Sequence, residues 1–404
     1  LEVLGQRVNL QAAAAAGMIL VSGIAVAARP ARLAKAKTVA VFGAWAVLGV
    51  AVSPSSAGVN ELLRLLSGIA FYFLAGSVLS RESSFETFAL LFIPSVSVPI
   101  GISFLQWGRV VPYEYWDWIG GGPVGRATGS YPHPLGLVYY LVVLVPLVLV
   151  LVHGSRSRWD RAPLVLYLGE VLVALFMTLH RVGIFAIGAG MTAWLVLSRR
   201  LRIAILLLVA AVLAGVMFRE WLALYLSNLL ELLRGDVSLC SERLLRGRGQ
   251  IWCAFLDAFR TSPPLYQLIG HGASVIGVVM SDASYVEWNE PHNDFIRILY
   301  SHGAIALLLY IVILGRMLAS GFRLRIRGSP FEKRLGTLGI VVVFSLSILS
   351  VTTEPLRYPT ASWYLFAIGS AMAVAARRSD IRSASLPQVE SSGGERLPGG
   401  GPGT

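Results

Sequence analysis

Apolar runs of membrane-crossing length recur along this chain, separated by short polar stretches rich in arginine. A helix needs roughly 20 apolar residues to cross about 30 Å of hydrocarbon. Eleven candidate spans emerge, near 8–28, 38–53, 60–80, 85–106, 135–153, 164–180, 183–198, 203–218, 303–320, 335–353 and 361–376. The run from 164 to 198 is too long for one span and is interrupted by His180, Arg181 and Gly183, which predicts two helices meeting at a tight turn. The pattern therefore predicts an all-α, polytopic integral membrane protein. Residues 1–376 form a single transmembrane domain that includes one long extracytoplasmic segment, 219–302. From 377 to 404 the apolar period gives way to Ser, Gly, Pro and charge, which predicts a disordered cytoplasmic tail. No internal repeat, heptad array or inverted pair of Gly/Pro-broken helices is apparent.

Composition agrees with this pattern. The 404 residues are 55% hydrophobic and 14% charged, with a mean hydropathy of +0.68, which excludes a soluble globular domain. The net charge of +12 does not point to nucleic acid, because the basic residues fall in short clusters between apolar runs. These clusters are Arg29, Arg32, Lys35 and Lys37; Arg156, Arg158 and Arg161; Arg199, Arg200 and Arg202; Arg323, Arg325, Arg327, Lys333 and Arg334; and Arg377 and Arg378. All five fall on one face when the spans alternate, and the positive-inside rule makes that face cytoplasmic. An odd number of spans puts Leu1 outside, so a further N-terminal helix is expected to precede it. The two cysteines, Cys240 and Cys253, lie at or near the start of the polar stretch, and the sequence leaves open whether they pair on an oxidising face.

Candidate chemistry concentrates between Arg243 and Gly303. Arg243, Arg246 and Arg248 precede Trp252, a Pro263-Pro264 break follows, then the turn Gly270-His271-Gly272, and then Asn289 to Asp294. The last stretch reads as a helix start with Asn289 as N-cap, Pro291 in the first turn and the acidic residues at the positive end of the dipole. His292 would sit in that first turn, where the helix field disfavours imidazolium and leaves the ring able to accept a proton. Arg181 lies between long apolar flanks, where an arginine costs a few kcal/mol unless it finds a partner or snorkels to the interface; both readings stay open, and Glu170 is too far along the helix to be its partner. His153 adjoins a cytoplasmic loop, and His180, His271 and His302 border turns or helix ends without an evident partner.

The Arg-Gly-Arg-Gly-Gln-Ile-Trp run over 246–252, the glycine turn and the His292-Asn293 helix start leading to Gly303 together resemble the signature region of the O-antigen ligase/polymerase family, the Wzy/WaaL-type membrane glycosyltransferases. The segment from Arg126 to His133 resembles that family's pre-helix segment, with Leu135 where asparagine is common. The resemblance implies a GT-C-like membrane fold with about twelve spans in the full protein. It implies a polyprenyl-diphosphate-linked glycan as donor and a glycan, lipid or protein as acceptor, at the outer face of a bacterial cytoplasmic membrane. Arg181 and Arg248 would hold the diphosphate and His292 would deprotonate the acceptor or hydrogen-bond the leaving phosphate. Arg243, Arg246, Trp252, Arg126, His133, Asn293 and Arg297 are the expected substrate contacts.

Other chemistries lack their motifs. No Walker loop, Rossmann glycine motif or zinc pattern occurs. No Asp-x-Asp pair is available to hold a nucleotide-sugar diphosphate through a metal, so no cofactor or metal is expected and guanidinium groups must meet the charge of a leaving diphosphate. Two alternatives remain at this level: a polymerase of repeat units within the family, and, from another class, a flippase or exporter of lipid-linked glycans.

Overall fold

The computed structural model describes residues 36–52, 56–119, 122–155, 157–199, 247–272 and 290–385, with short pieces at 2–3, 6–7 and 16–23 and single positions at 234, 238, 240 and 241. Nine of the eleven expected spans coincide with helices, which follows from their uninterrupted apolar composition. These are α1 (Lys37–Val52), α2 (Ser56–Leu79), α3 (Glu82–Trp107), α4 (Pro134–Gly154), α5 (Arg158–Met177), α6 (Arg181–Leu197), α9 (Asp294–Arg327), α10 (Pro330–Thr352) and α11 (Pro359–Ser385). The expected span at 203–218 lies outside the described residues, and 8–28 is described only over 16–23. Five described helices contain a stretch long and apolar enough to cross a membrane, in α2, α3, α4, α9 and α10, while α1 and α6 are shorter apolar helices. Among the described residues between α6 and α9 are two helices, the amphipathic α7 (Arg248–Thr261) and the short α8 (Pro264–Ile269).

Two short antiparallel ladders qualify the all-α expectation. Glu2–Val3 (β1) pairs with Gln6–Arg7 (β2), and Tyr115–Ile119 (β3) pairs with Gly122–Arg126 (β4).

Helices α4 and α10 are buried along most of their length and form the centre of the bundle. Outer helices instead present bare aliphatic surface: Leu90, Leu91, Leu166, Phe185 and Ile326 are all more than 60% exposed. Such surface is excluded from water in a soluble protein and is satisfied by lipid. Several basic residues of the expected cytoplasmic clusters gather at one end of the bundle. Arg316 of α9 bonds Thr38 at the start of α1, Arg325 bonds the Leu197 carbonyl at the end of α6, and Arg334 of α10 pairs with Glu82 at the start of α3.

The chain departs from expectation at two helix ends. α11 runs to Ser385, past the point where a disordered tail was expected. Ser379 Oγ donates to the Arg327 carbonyl (3.1 Å) and Arg382 pairs with Glu332, so this last turn is tied to the α9–α10 corner. The N-cap of α9 is Asn293 rather than Asn289, and His292 precedes the helix with φ +47°.

Helix α9 also breaks at Gly303 (φ +81°). The break exposes the Tyr300 and Ser301 carbonyls, which accept from the backbone N–H groups of His271 and Gly272 (3.0 Å each). A Cβ on Gly303 would lie 2.1 Å from the Leu268 carbonyl oxygen. The glycine turn after α8 and the glycine in α9 are therefore two halves of one close backbone approach.

Candidate functional site

Among the described helices that begin at the other end of the bundle, four (α4, α6, α7 and α9) carry a histidine or an arginine at or just before their start. His133 is the N-cap of α4, its Nδ1 accepting from the Leu135 N–H (3.1 Å). His180 is the N-cap of α6, its Nδ1 accepting from the Gly183 N–H (3.0 Å). Arg181 and Arg248 are the first residues of α6 and α7, and His292 immediately precedes the α9 cap. A helix N-terminus carries about half a positive charge and favours anions nearby. Yet α4, α6 and α7 have no acidic residue in the first turn, and two of them place a guanidinium there. Such helix starts suit a phosphate.

These groups feel one another electrostatically. Arg126 lies in the field of Arg181, His133 in those of Arg126 and His292, His180 in those of Arg126, Arg248 and His133, and His292 in that of Arg248. Burial pushes the His133 imidazole down to about 4 and His180 down to about 3, and the nearby arginines add to both shifts. Both rings are neutral near pH 7. Because Nδ1 accepts in each, the proton sits on Nε2, leaving each ring one N–H donor. His292 is also held below the ordinary imidazole value, by burial first; Glu354 opposes the shift, and Arg248 and Arg297 reinforce it.

The backbone around His292 is fixed from three sides. The buried Trp252 indole N–H donates to the Pro291 carbonyl (2.8 Å). Asn293 Oδ1 accepts from the Phe295 and Ile296 N–H groups (2.9 and 3.1 Å), and its Nδ2 donates to the Val351 carbonyl (2.9 Å). Asp294 Oδ2 accepts from Ser350 Oγ (2.9 Å) and the Leu356 N–H (3.1 Å). Histidine tolerates the left-handed region better than most residues, but the conformation is still uncommon and is held here by these neighbours.

Beneath this loop lies an ion cluster. Arg297, buried, pairs with Glu354 (2.7 Å), with Glu61 of α2, and with Glu290 (3.7 Å). Arg357 pairs with Glu290 and approaches Glu354 (3.7 Å). The cluster clamps the segment before α9 to α2 and to the short 3-10 turn Pro355–Arg357.

Several expected substrate contacts have partners within the protein. Trp252, Asn293 and Arg297 spend their polar atoms inside the protein and position His292. Arg126 is buried, donates from Nε to the Thr178 carbonyl (2.8 Å), pairs with Asp117 (3.2 Å) and lies over the Tyr115 ring. It stitches the hairpin to the α5–α6 junction, next to the Ala127 N–H bond to the Met177 carbonyl (3.1 Å). His133 combines its capping role with an edge contact to Tyr115. Arg243 and Arg246 lie outside the described residues.

The cysteines are bridged: Cys240 and Cys253 form a disulfide with Cα atoms 5.5 Å apart, flanking Arg248. His271 is structural, stacked between Tyr266 and Tyr300 with Nε2 2.7 Å from Ser262 Oγ.

Sequence reasoning missed His180, Glu61, Glu290, Glu354 and Arg357. For Glu61 a signal existed, since a carboxylate inside an apolar span demands a partner. Comparison with curated proteins gives no match. Residues 164–311, which hold Arg181, Arg248 and His292, match the family model described as O-antigen ligase, and this match supports an O-antigen ligase/polymerase family assignment.

Proposed function

We propose that this protein is a multi-pass membrane glycosyltransferase that moves a glycan from a polyprenyl diphosphate to an acceptor hydroxyl, in the manner of an O-antigen ligase. The observation that supports this reading most is that Arg248 lies in electrostatic reach of both His292 and His180, the neighbour of Arg181, while Arg181 and Arg248 open helices with no acidic residue in the first turn. Nothing local in the sequence forces them together.

In this reading Arg181 and Arg248 bind the diphosphate, with planar forks suited to its oxygens. The Nε2–H donors of His133 and His180 add neutral hydrogen bonds. Neutral His292 takes the proton from the acceptor hydroxyl as its oxygen bonds to the anomeric carbon. The bond from that carbon to the diphosphate breaks on the opposite face, so configuration inverts and polyprenyl diphosphate leaves. The helix N-termini and guanidinium groups stabilise the charge that develops on the leaving group. An extracytoplasmic position for this site is supported by the arginine clusters at the other end of the bundle and by the disulfide beside Arg248, which suits an oxidising compartment.

Purified protein in proteoliposomes, given a polyprenyl-diphosphate donor with a labelled glycan and a panel of acceptors, tests this. The expected products are an acceptor glycoside of inverted configuration and free polyprenyl diphosphate. Movement of intact donor across the bilayer without cleavage would replace the reading with that of an exporter. Product made only of joined repeat units would make it a polymerase.

A further inference from the structure

At the opposite end of the bundle, helices α1, α2, α9 and α11 enclose a cavity of about 360 Å³ that the glycan-transfer reading does not use. Its mouth is basic. Arg316 and Arg323 stand two turns apart on one face of α9, and Arg377 comes from α11. The hydroxyl groups of Thr38, Tyr72 and Ser320 line the same space, and Val39, Ile313 and Met317 make its inner wall. One carboxylate lines it, Asp380, whose nearest cation is Arg327 at 4.0 Å. Among the described residues, the ion pairs do not include Arg316, Arg323 or Arg377.

We propose that this cavity binds an anionic phospholipid, with the phosphate against the three arginines and an acyl chain along the apolar wall. Topology alone requires basic residues near this membrane face, but it does not require guanidinium groups from two helices to line one cavity. Three cations there repel one another unless an anion sits between them, and basic pockets between membrane helices on this side suit lipid headgroups. The apolar wall distinguishes a lipid from a free phosphate. Val41 on α1 and Ile311 and Val312 on α9 are exposed in the neighbouring turns, so the cavity adjoins lipid-facing surface.

Native mass spectrometry of the purified full chain, released from nanodiscs of phosphatidylcholine with or without phosphatidylglycerol, tests the proposal. Each arginine near an anionic headgroup contributes about fivefold to affinity. Arg323→Gln/Arg377→Gln is therefore expected to weaken retention of phosphatidylglycerol on the order of thirtyfold. Lys333→Gln/Arg378→Gln removes the same charge from the same end of the bundle outside the cavity and is expected to change retention less than threefold. Inorganic phosphate at millimolar concentration is expected not to displace the lipid. Equal loss in the two double variants, unchanged retention in the first, or displacement by phosphate alone would overturn the proposal.

Discussion

Replacing Arg297 with methionine tests whether the ion cluster holds the loop that carries His292. The Arg297 side chain is 8% exposed and meets Glu354 at 2.7 Å, Glu290 at 3.7 Å and Glu61 directly. Methionine preserves much of the packed stem but strands Glu61, for which Arg297 is the paired cation, and leaves Glu290 and Glu354 to Arg357. Removing one partner of a buried pair costs about 3–5 kcal/mol, because a charge remains in a medium that solvates it poorly. The exposed pair Arg260–Asp257, 3.7 Å apart, provides the contrast, since such a pair contributes about 0–1 kcal/mol. Arg297→Met is thus expected to lower unfolding free energy by about 4 kcal/mol and Arg260→Met by under about 1, measured by thermal or denaturant unfolding in one detergent. Adding Glu61→Gln to Arg297→Met removes the stranded carboxylate and is expected to recover about 2 kcal/mol. Stability of Arg297→Met within about 1 kcal/mol of the parent, or a further loss on adding Glu61→Gln, would refute the reasoning.

Four further outcomes follow from the same structure. His292 is held below the ordinary imidazole value, so its neutral form persists to lower pH; the transfer rate should be flat at neutral pH and fall only below pH ~6.5. Arg248→Gln removes a cation that lowers that value and should move the acid limb of the residual rate upward, whereas Glu354→Gln should move it downward; pH–rate profiles of both variants check the signs. Gly303→Ala forces a side chain into φ +81° and toward the Leu268 carbonyl, and should cost more than about 2 kcal/mol in the unfolding assay. Cys240 and Cys253 should resist thiol labelling until reduced, and Cys253→Ser should cost up to about 3 kcal/mol for a loop of this length.

The helices were legible because apolar composition and length decide them with little help from tertiary context. Val138 to Val150 of α4 carries no charged residue and lies almost wholly buried at the centre of the bundle. The α5–α6 junction at His180-Arg181 was also legible, because charge in the middle of a long apolar stretch cannot continue as one span. The helix start at His292 was misplaced by four residues: Asn289 and Asn293 are equally good caps locally, and the choice is made by Val351, Trp252 and Arg357 acting on the segment from elsewhere. His133 and His180 cap helices through Nδ1, a use that residue preferences do not flag. The ion cluster was invisible for a simpler reason. Its members meet across helices, Arg297 and Glu354 being 57 residues apart, and no local pattern announces such a meeting.

The central claim is that Arg181, Arg248 and His292 form one site for a lipid diphosphate and its acceptor. Its most direct test is the single-turnover rate of glycan transfer from a defined polyprenyl-diphosphate donor, for the parent and the three alanine variants, with donor binding measured alongside. Loss of either arginine is expected to slow transfer on the order of a hundredfold, by analogy with removing one oxyanion donor, and to weaken donor binding. His292→Ala is expected to abolish transfer while binding donor as the parent does. Parental transfer rates in all three variants would contradict the account.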